Sequence, residues 1–195
     1  MKLSYIATAA ICITKGVEAF AQTDTTRPNA IVAPTTTSTT GTMHLPGEID
    51  VQAAYQASTF PITPDNLINR AKQVLSPAIG IGTKDAGACI ADDFEFCAAV
   101  VGPLPKEEYL AALASFQLET SFDINQNYYG FFVDPMQTNR VWFFTRQVAK
   151  HVATFVGVEA TGKDILLPPQ LMHMDFNEDG LVREFGFYTV DRRQG

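Results

Sequence analysis

The sequence predicts an α+β domain, with helices near the N-terminus held against one face of a strongly curved antiparallel or mixed sheet. Segments with helical periodicity come first and a meander of strands comes last. The run from Arg140 to Arg146 is strand-like and contains Trp142, the only tryptophan. After it, Lys163 to Tyr188 reads as two strands joined by the turn Asn177-Glu178-Asp179-Gly180. Gly180 supplies the left-handed residue that such a turn needs. Strands carrying so many large rings must remove them from water, and curling around a helix or a pocket does this.

The 195 residues suit one domain with extensions. Hydrophobic content is 46% and aromatic content 11%, with 14 phenylalanines, which supplies a core and argues against general disorder. The net charge of −7 speaks against nucleic acid as a partner, because phosphate binding needs a basic surface. A small organic ligand stays open. Three cysteines are not a disulfide framework. A Cys89–Cys97 bridge and two buried free thiols both fit the spacing, and the thiols are preferred.

Lys2 precedes a mainly apolar stretch, Leu3 to Thr14, too short and too polar for a membrane span of roughly 20 residues. Small residues at Val17 and Ala19 offer a cleavage site, so residues 1–19 are expected to be a signal-peptide-like leader, with a buried helix as the alternative. Residues 20–45 are rich in Thr, Ser, Pro and Ala, including the block Thr35 to Gly41. They are too poor in apolar surface to repay ordering and are expected to be flexible. Residues 46–195 then form the folded domain. Such a leader, followed by Phe20 and a hydroxyl-rich extension, resembles the bipartite plastid presequence of diatoms and related algae. That resemblance implies a plastid location; secretion is the alternative.

Within the domain, Val51 to Ala57 reads as a first helix. Thr63-Pro64 is an N-cap and first-turn pair, and Leu67, Ile68, Ala71, Val74 and Leu75 recur at helical spacing until Pro77. Ile79 to Gly87 is a glycine-rich loop; its Gly80-Ile81-Gly82 has no frame of strand, third glycine and helix, so it is no dinucleotide fingerprint. Asp93 to Val101 reads as a strand ended by Gly102-Pro103-Leu104-Pro105. Pro105 opens a helix with Tyr109, Leu110, Leu113 and Phe116 on one stripe, and Lys106, Glu107 and Glu108 facing water. Tyr128 to Val133 is a short aromatic strand. Asn139 to Val156 is expected to be one long bent strand, and Asp164 to Asn177 pairs with Leu181 to Asp191. Gly186 permits a bulge or sharp curvature.

These segments carry a resemblance. Ala91-Asp92-Asp93-Phe94-Glu95-Phe96 and then Val101 to Tyr109 look like the start of an NTF2-like domain of the SnoaL-like (polyketide-cyclase-like) group. Arg140 to Arg146, Thr161-Gly162-Lys163 and Phe176 to Val182 continue the pattern in order, and the match spans roughly residues 60–193. The resemblance implies a conical sheet wrapped around helices and a pocket, used in that superfamily for isomerisation, cyclisation, dehydration or binding. It also implies dimers across the open sheet face and closest kinship with plastid-associated algal and plant members.

Strand alternation makes His151, His173, Asp175 and Tyr188 the candidate catalytic groups, provided that one face of the late strands lines a cavity. A histidine or carboxylate would take a proton beside a carbonyl, and the tyrosine hydroxyl would donate to the oxyanion. For each residue singly, a structural role is the stronger reading. Tyr128, Arg140, Trp142, Phe144 and Arg146 are candidates for a pocket or an interface: an anion-binding wall with an aromatic floor, or the buried anchors of a dimer, which the resemblance favours. No cofactor motif occurs, and His44, His151 and His173 do not make a metal set. The preferred reading is a binding or assembly protein with an apolar pocket. A cofactor-independent isomerase, cyclase or dehydratase and a peripheral subunit of a plastid membrane complex are the alternatives.

Overall fold

Asp50 starts the first helix, α1 (Val51–Ala57), by accepting the Ala53 N–H at 3.0 Å and so satisfying one of the donors a helix start leaves free. In α2 (Pro64–Leu75), Pro64 is the first helical residue, while the Thr63 hydroxyl makes no capping bond. The apolar period places Leu67, Ala71 and Val74 in complete burial. Two later helices, α3 (Lys106–Phe116) and α4 (Leu118–Ser121), follow. These features come from a computed structural model that describes residues 45–98, 101–116 and 118–189, the side chains of Phe116 and Thr189 excepted. The expected leader, and all of the 20–45 segment except Leu45, lie outside the described residues.

Among the described residues, nine strands form two sheets. They are β1 (Ile90–Phe96), β2 (Leu104–Pro105), β3 (Phe122–Asn125), β4 (Tyr129–Val133), β5 (Arg140–Thr145), β6 (Val148–His151), β7 (Asp164–Leu166), β8 (Gln170–Phe176) and β9 (Val182–Thr189). The larger sheet runs β2-β1-β9-β8-β5-β4 and the smaller β3-β6-β7. Among these strands only β1 and β9 pair in parallel; the other pairs are antiparallel. The architecture is thus α+β with a mixed sheet, as the order of helical and strand-like segments predicts.

Two expected strands divide. The long Asn139–Val156 strand breaks after Thr145, where β5 leaves β8 and β6 joins the smaller sheet. Local bonds hold the break: the Thr145 hydroxyl donates to the Gln126 carbonyl, and Leu167 N–H donates to Gln147 O at 3.0 Å. The Asp164–Asn177 strand likewise splits into β7 and β8. Pro168 and Pro169 lie in the gap, and neither has an N–H to give a ladder. The first strand begins at Ile90 rather than Asp93; Ala99 and Val100 lie outside the described residues. Lys106 does not simply face water: its ammonium donates to the Ile90 carbonyl at 2.8 Å.

The inner face of the large sheet meets α2. Val141 and Phe143 of β5, Met172, Met174 and Phe176 of β8, and Phe185 of β9 join Leu67, Ala71 and Val74 in one buried cluster. By the two-residue period, the intervening side chains stand on the opposite, outer face.

Candidate functional site

Cross-strand register builds the outer face as rows. Arg140, Asp175 and Glu184 lie side by side on β5, β8 and β9. Arg140 holds Asp175 by a two-point fork, Nε to Oδ1 at 2.5 Å and an Nη to Oδ2 at 2.7 Å. The same Nη reaches Glu184 Oε1 at 3.1 Å. Gln137 Nε2 donates to Asp175 Oδ2 at 2.6 Å, so each half-buried charge in this row has partners. A paired charge of this kind costs far less than an isolated one.

The next row carries rings. Phe132 on β4 stands opposite Trp142, and Trp142 opposite His173. The Trp142 and His173 ring centres are 5.3 Å apart, and Tyr188 stacks on the other side of His173 at 5.9 Å. Arg140 lies over the indole, 5.3 Å from its centre, and the indole N–H donates to Asp134 Oδ2 at 2.9 Å. Burial pushes the Asp134 carboxyl upward. The bonds from Trp142, Met136 and Gln137, with the Arg140 charge, outweigh that and hold it below the usual range. A third row pairs Tyr129 with Phe144, stacked at 5.4 Å.

His173 sits at the junction of the ionic and aromatic rows. Nothing of it is exposed, and Nε2 lies 2.7 Å from Glu184 Oε1. Its Nδ1 is buried and has no partner among the described residues. Burial lowers the imidazole pKa below its ordinary value, aided by Arg140 and opposed by Glu184 and Asp175. The neutral ring, with its proton on Nε2, is therefore the resident form. Gly186 faces it across the strand pair. A Cβ there would meet the Cys97 carbonyl at 1.8 Å and His173 Cε1 at 2.6 Å, so only glycine lets these segments close over the ring.

The four candidate acid–base residues do not share a cavity. His173, Asp175 and Tyr188 are on the outer face, away from the helices. His151 is in the smaller sheet, stacked on Phe122 at 4.9 Å, with Nδ1 3.3 Å from the Thr161 hydroxyl. The break after Thr145 is what separates it from the others. Of the pocket or interface candidates, Arg140, Trp142 and Phe144 are on the outer face, Arg146 is exposed just beyond β5, and Tyr128 packs inward against Phe143 at 5.8 Å. Sequence reading missed Glu184, because alternation alone does not reveal which carboxylate meets a histidine on the neighbouring strand.

The inner cluster has a different chemistry. The phenols of Tyr55, Tyr109 and Tyr128 and the thiol of Cys89 belong to it. Burial pushes the Tyr128 and Cys89 pKa values up to about 12 and raises Tyr109 further. These groups keep their protons at neutral pH, so none serves as a base there. An open depression of about 370 Å³ lies at the other end, beside Phe60, Thr138, Asn139 and Arg183. Asn139 Nδ2 already donates to the Phe176 carbonyl, and Arg183 pairs with Asp93. Among the described residues, no cluster of three or more His, Cys, Asp or Glu could hold a metal ion. Nor is any described helix long and apolar enough to cross a membrane.

Solved structures share this architecture. IdmH from Streptomyces antibioticus, a candidate polyketide cyclase, superposes with a TM-score of 0.50 at 16% identity, covering 63% of this chain and 91% of its own. An LEH-like epoxide hydrolase of M. tuberculosis gives 0.50 at 10% identity, covering 67% and 86%. A candidate SnoaL-like polyketide cyclase from Jannaschia sp. CCS1 gives 0.49 at 15% identity, covering 68% and 89%. No family model and no curated protein matches the sequence. The fold is the NTF2-like cone, in which helices fill a curved sheet; identities this low speak for the fold alone.

Proposed function

We propose that this chain is a binding and assembly protein whose working surface is the outer face of its large sheet, and that the face pairs with a second copy of the chain. One contrast carries the reading. The inner face is packed with apolar side chains and groups that stay protonated, whereas the outer face combines rings with charges of both signs. Tyr129, Phe132 and Tyr188 are each more than 40% exposed there. Contiguous apolar surface of this kind marks an interaction site, and tryptophan, tyrosine and arginine are the side chains that anchor one. A two-fold axis through the aromatic rows would stack ring on ring and leave each ionic row to flank the other, which makes the patch self-complementary.

Acid–base catalysis is the second reading, and the His173–Glu184 contact beside the Tyr188 ring favours it. For the terminal segment the proposal keeps the division into a leader (1–19), a flexible extension (20–45) and the domain (46–195), with a plastid as the destination. The charged, apolar and hydroxyl-rich blocks of that segment support this reading. Native mass spectrometry of the protein from its own cells tests both parts together. The expected species is a dimer of chains lacking Met1. In recombinant full-length chain, Phe132→Glu, at an exposed position, is expected to give a folded monomer. A wild-type chain that stays monomeric at its highest soluble concentration overturns the pairing, and an intact Met1 overturns the leader.

A further inference from the structure

His173 is buried completely, yet among the described residues one of its two ring nitrogens has nothing to bond. A neutral imidazole tolerates this, because the unpaired Nδ1 is then only an acceptor. An imidazolium does not, because both nitrogens become donors. A buried donor without a partner costs much more than an idle lone pair. The surroundings sharpen the contrast. From β9, Glu184 takes Nε2 at 2.7 Å and the Tyr188 ring covers one side. From β5, Trp142 covers the other side, and Arg140 shares the same Glu184 oxygen. Asp175 stands two residues along β8, held by Arg140 and Gln137. Beyond β1, the Cys97 backbone closes over Gly186 next to His173 Cε1. Glu184 would welcome a second positive charge. Arg140 already occupies that carboxylate, and Nδ1 has no acceptor in hydrogen-bond reach among the described residues.

We infer that His173 is a proton-operated latch of the outer face: neutral, it fixes Glu184 and Tyr188 in the pairing geometry, and protonated, it releases them. The proton enters at Nδ1. To satisfy the new donor the ring must turn toward water, which breaks the Nε2–Glu184 bond and unstacks Tyr188. Acid therefore weakens the association of two copies. This latch rests on the pairing reading above, but it also has a readout of its own. Trp142 is the only tryptophan and stands 5.3 Å from the imidazole; a charged imidazole that close quenches indole emission.

The test follows full-length chain from about pH 7.5 to about pH 5, by tryptophan fluorescence and sedimentation equilibrium together. In wild type, Trp142 emission is expected to change with a single midpoint below the ordinary histidine value, and self-association to weaken roughly tenfold over the same range. His173→Gln, which can still donate to Glu184, is expected to abolish both changes. If that variant fails to fold, Glu184→Gln serves: losing the carboxylate is expected to move the emission midpoint lower. Emission that does not titrate in this range, or association that ignores pH while emission titrates, overturns the latch. A chain that is monomeric throughout, with emission titrating as expected, overturns the pairing and upholds the latch as a property of the single chain.

Discussion

At the scale of single residues, two positions decide whether the outer face closes. Gly186 is one, because the Cys97 carbonyl occupies the place a side chain would need. Gly186→Ala is expected to lower the unfolding free energy by about 3 kcal/mol, the upper range for forced overpacking, measured by urea denaturation. The sequence marks Gly186 as a place for curvature, yet the demand is for close approach of another backbone. Arg140 is the other. Its guanidinium serves Asp175, Glu184 and the Trp142 ring at once, and a lysine lacks the planar fork for such a task.

Among the elements, β5 divides its labour most sharply. Val141 and Phe143 are buried in the inner cluster, whereas Arg140, Trp142 and Phe144 alternate with them onto the outer face. Phe143 is fully buried and stacks on Phe131 at 5.0 Å, so Phe143→Ala is expected to cost about 3–5 kcal/mol of stability in thermal or urea unfolding. The strand was legible because Val141 to Thr145 is an unbroken run of β-branched and aromatic residues. Its end was not. Arg146-Gln147 contains neither proline nor glycine, and the break there depends on bonds to Gln126 and Leu167, residues distant in the chain. The β7–β8 break did carry a signal, the pair Pro168-Pro169. Helix α2 followed its apolar period from Pro64 to Leu75 without error.

For the molecule as a whole, acid is the expected weakness. His173 titrates near 6.5 in the unfolded chain, and burial lowers its pKa in the fold. Between those values the unfolded chain binds more protons, so stability is full above about pH 6.5 and falls as pH drops toward the folded value. Thermal unfolding followed across this range is expected to show that loss in wild type and a smaller one in His173→Gln. Local periodicity and turn chemistry in the sequence were enough to determine the α+β class, the first two helices, the late run of strands, and the final hairpin at Gly180. They also marked Arg140, Trp142, His173 and Asp175 as notable residues. Tertiary structure alone decided that these four share a face turned away from the helices, that Glu184 completes them, and that His151 belongs to another sheet. The reason is physical: alternation tells which side chains share a side of one strand, while only packing against helix α2 decides which side becomes the interior.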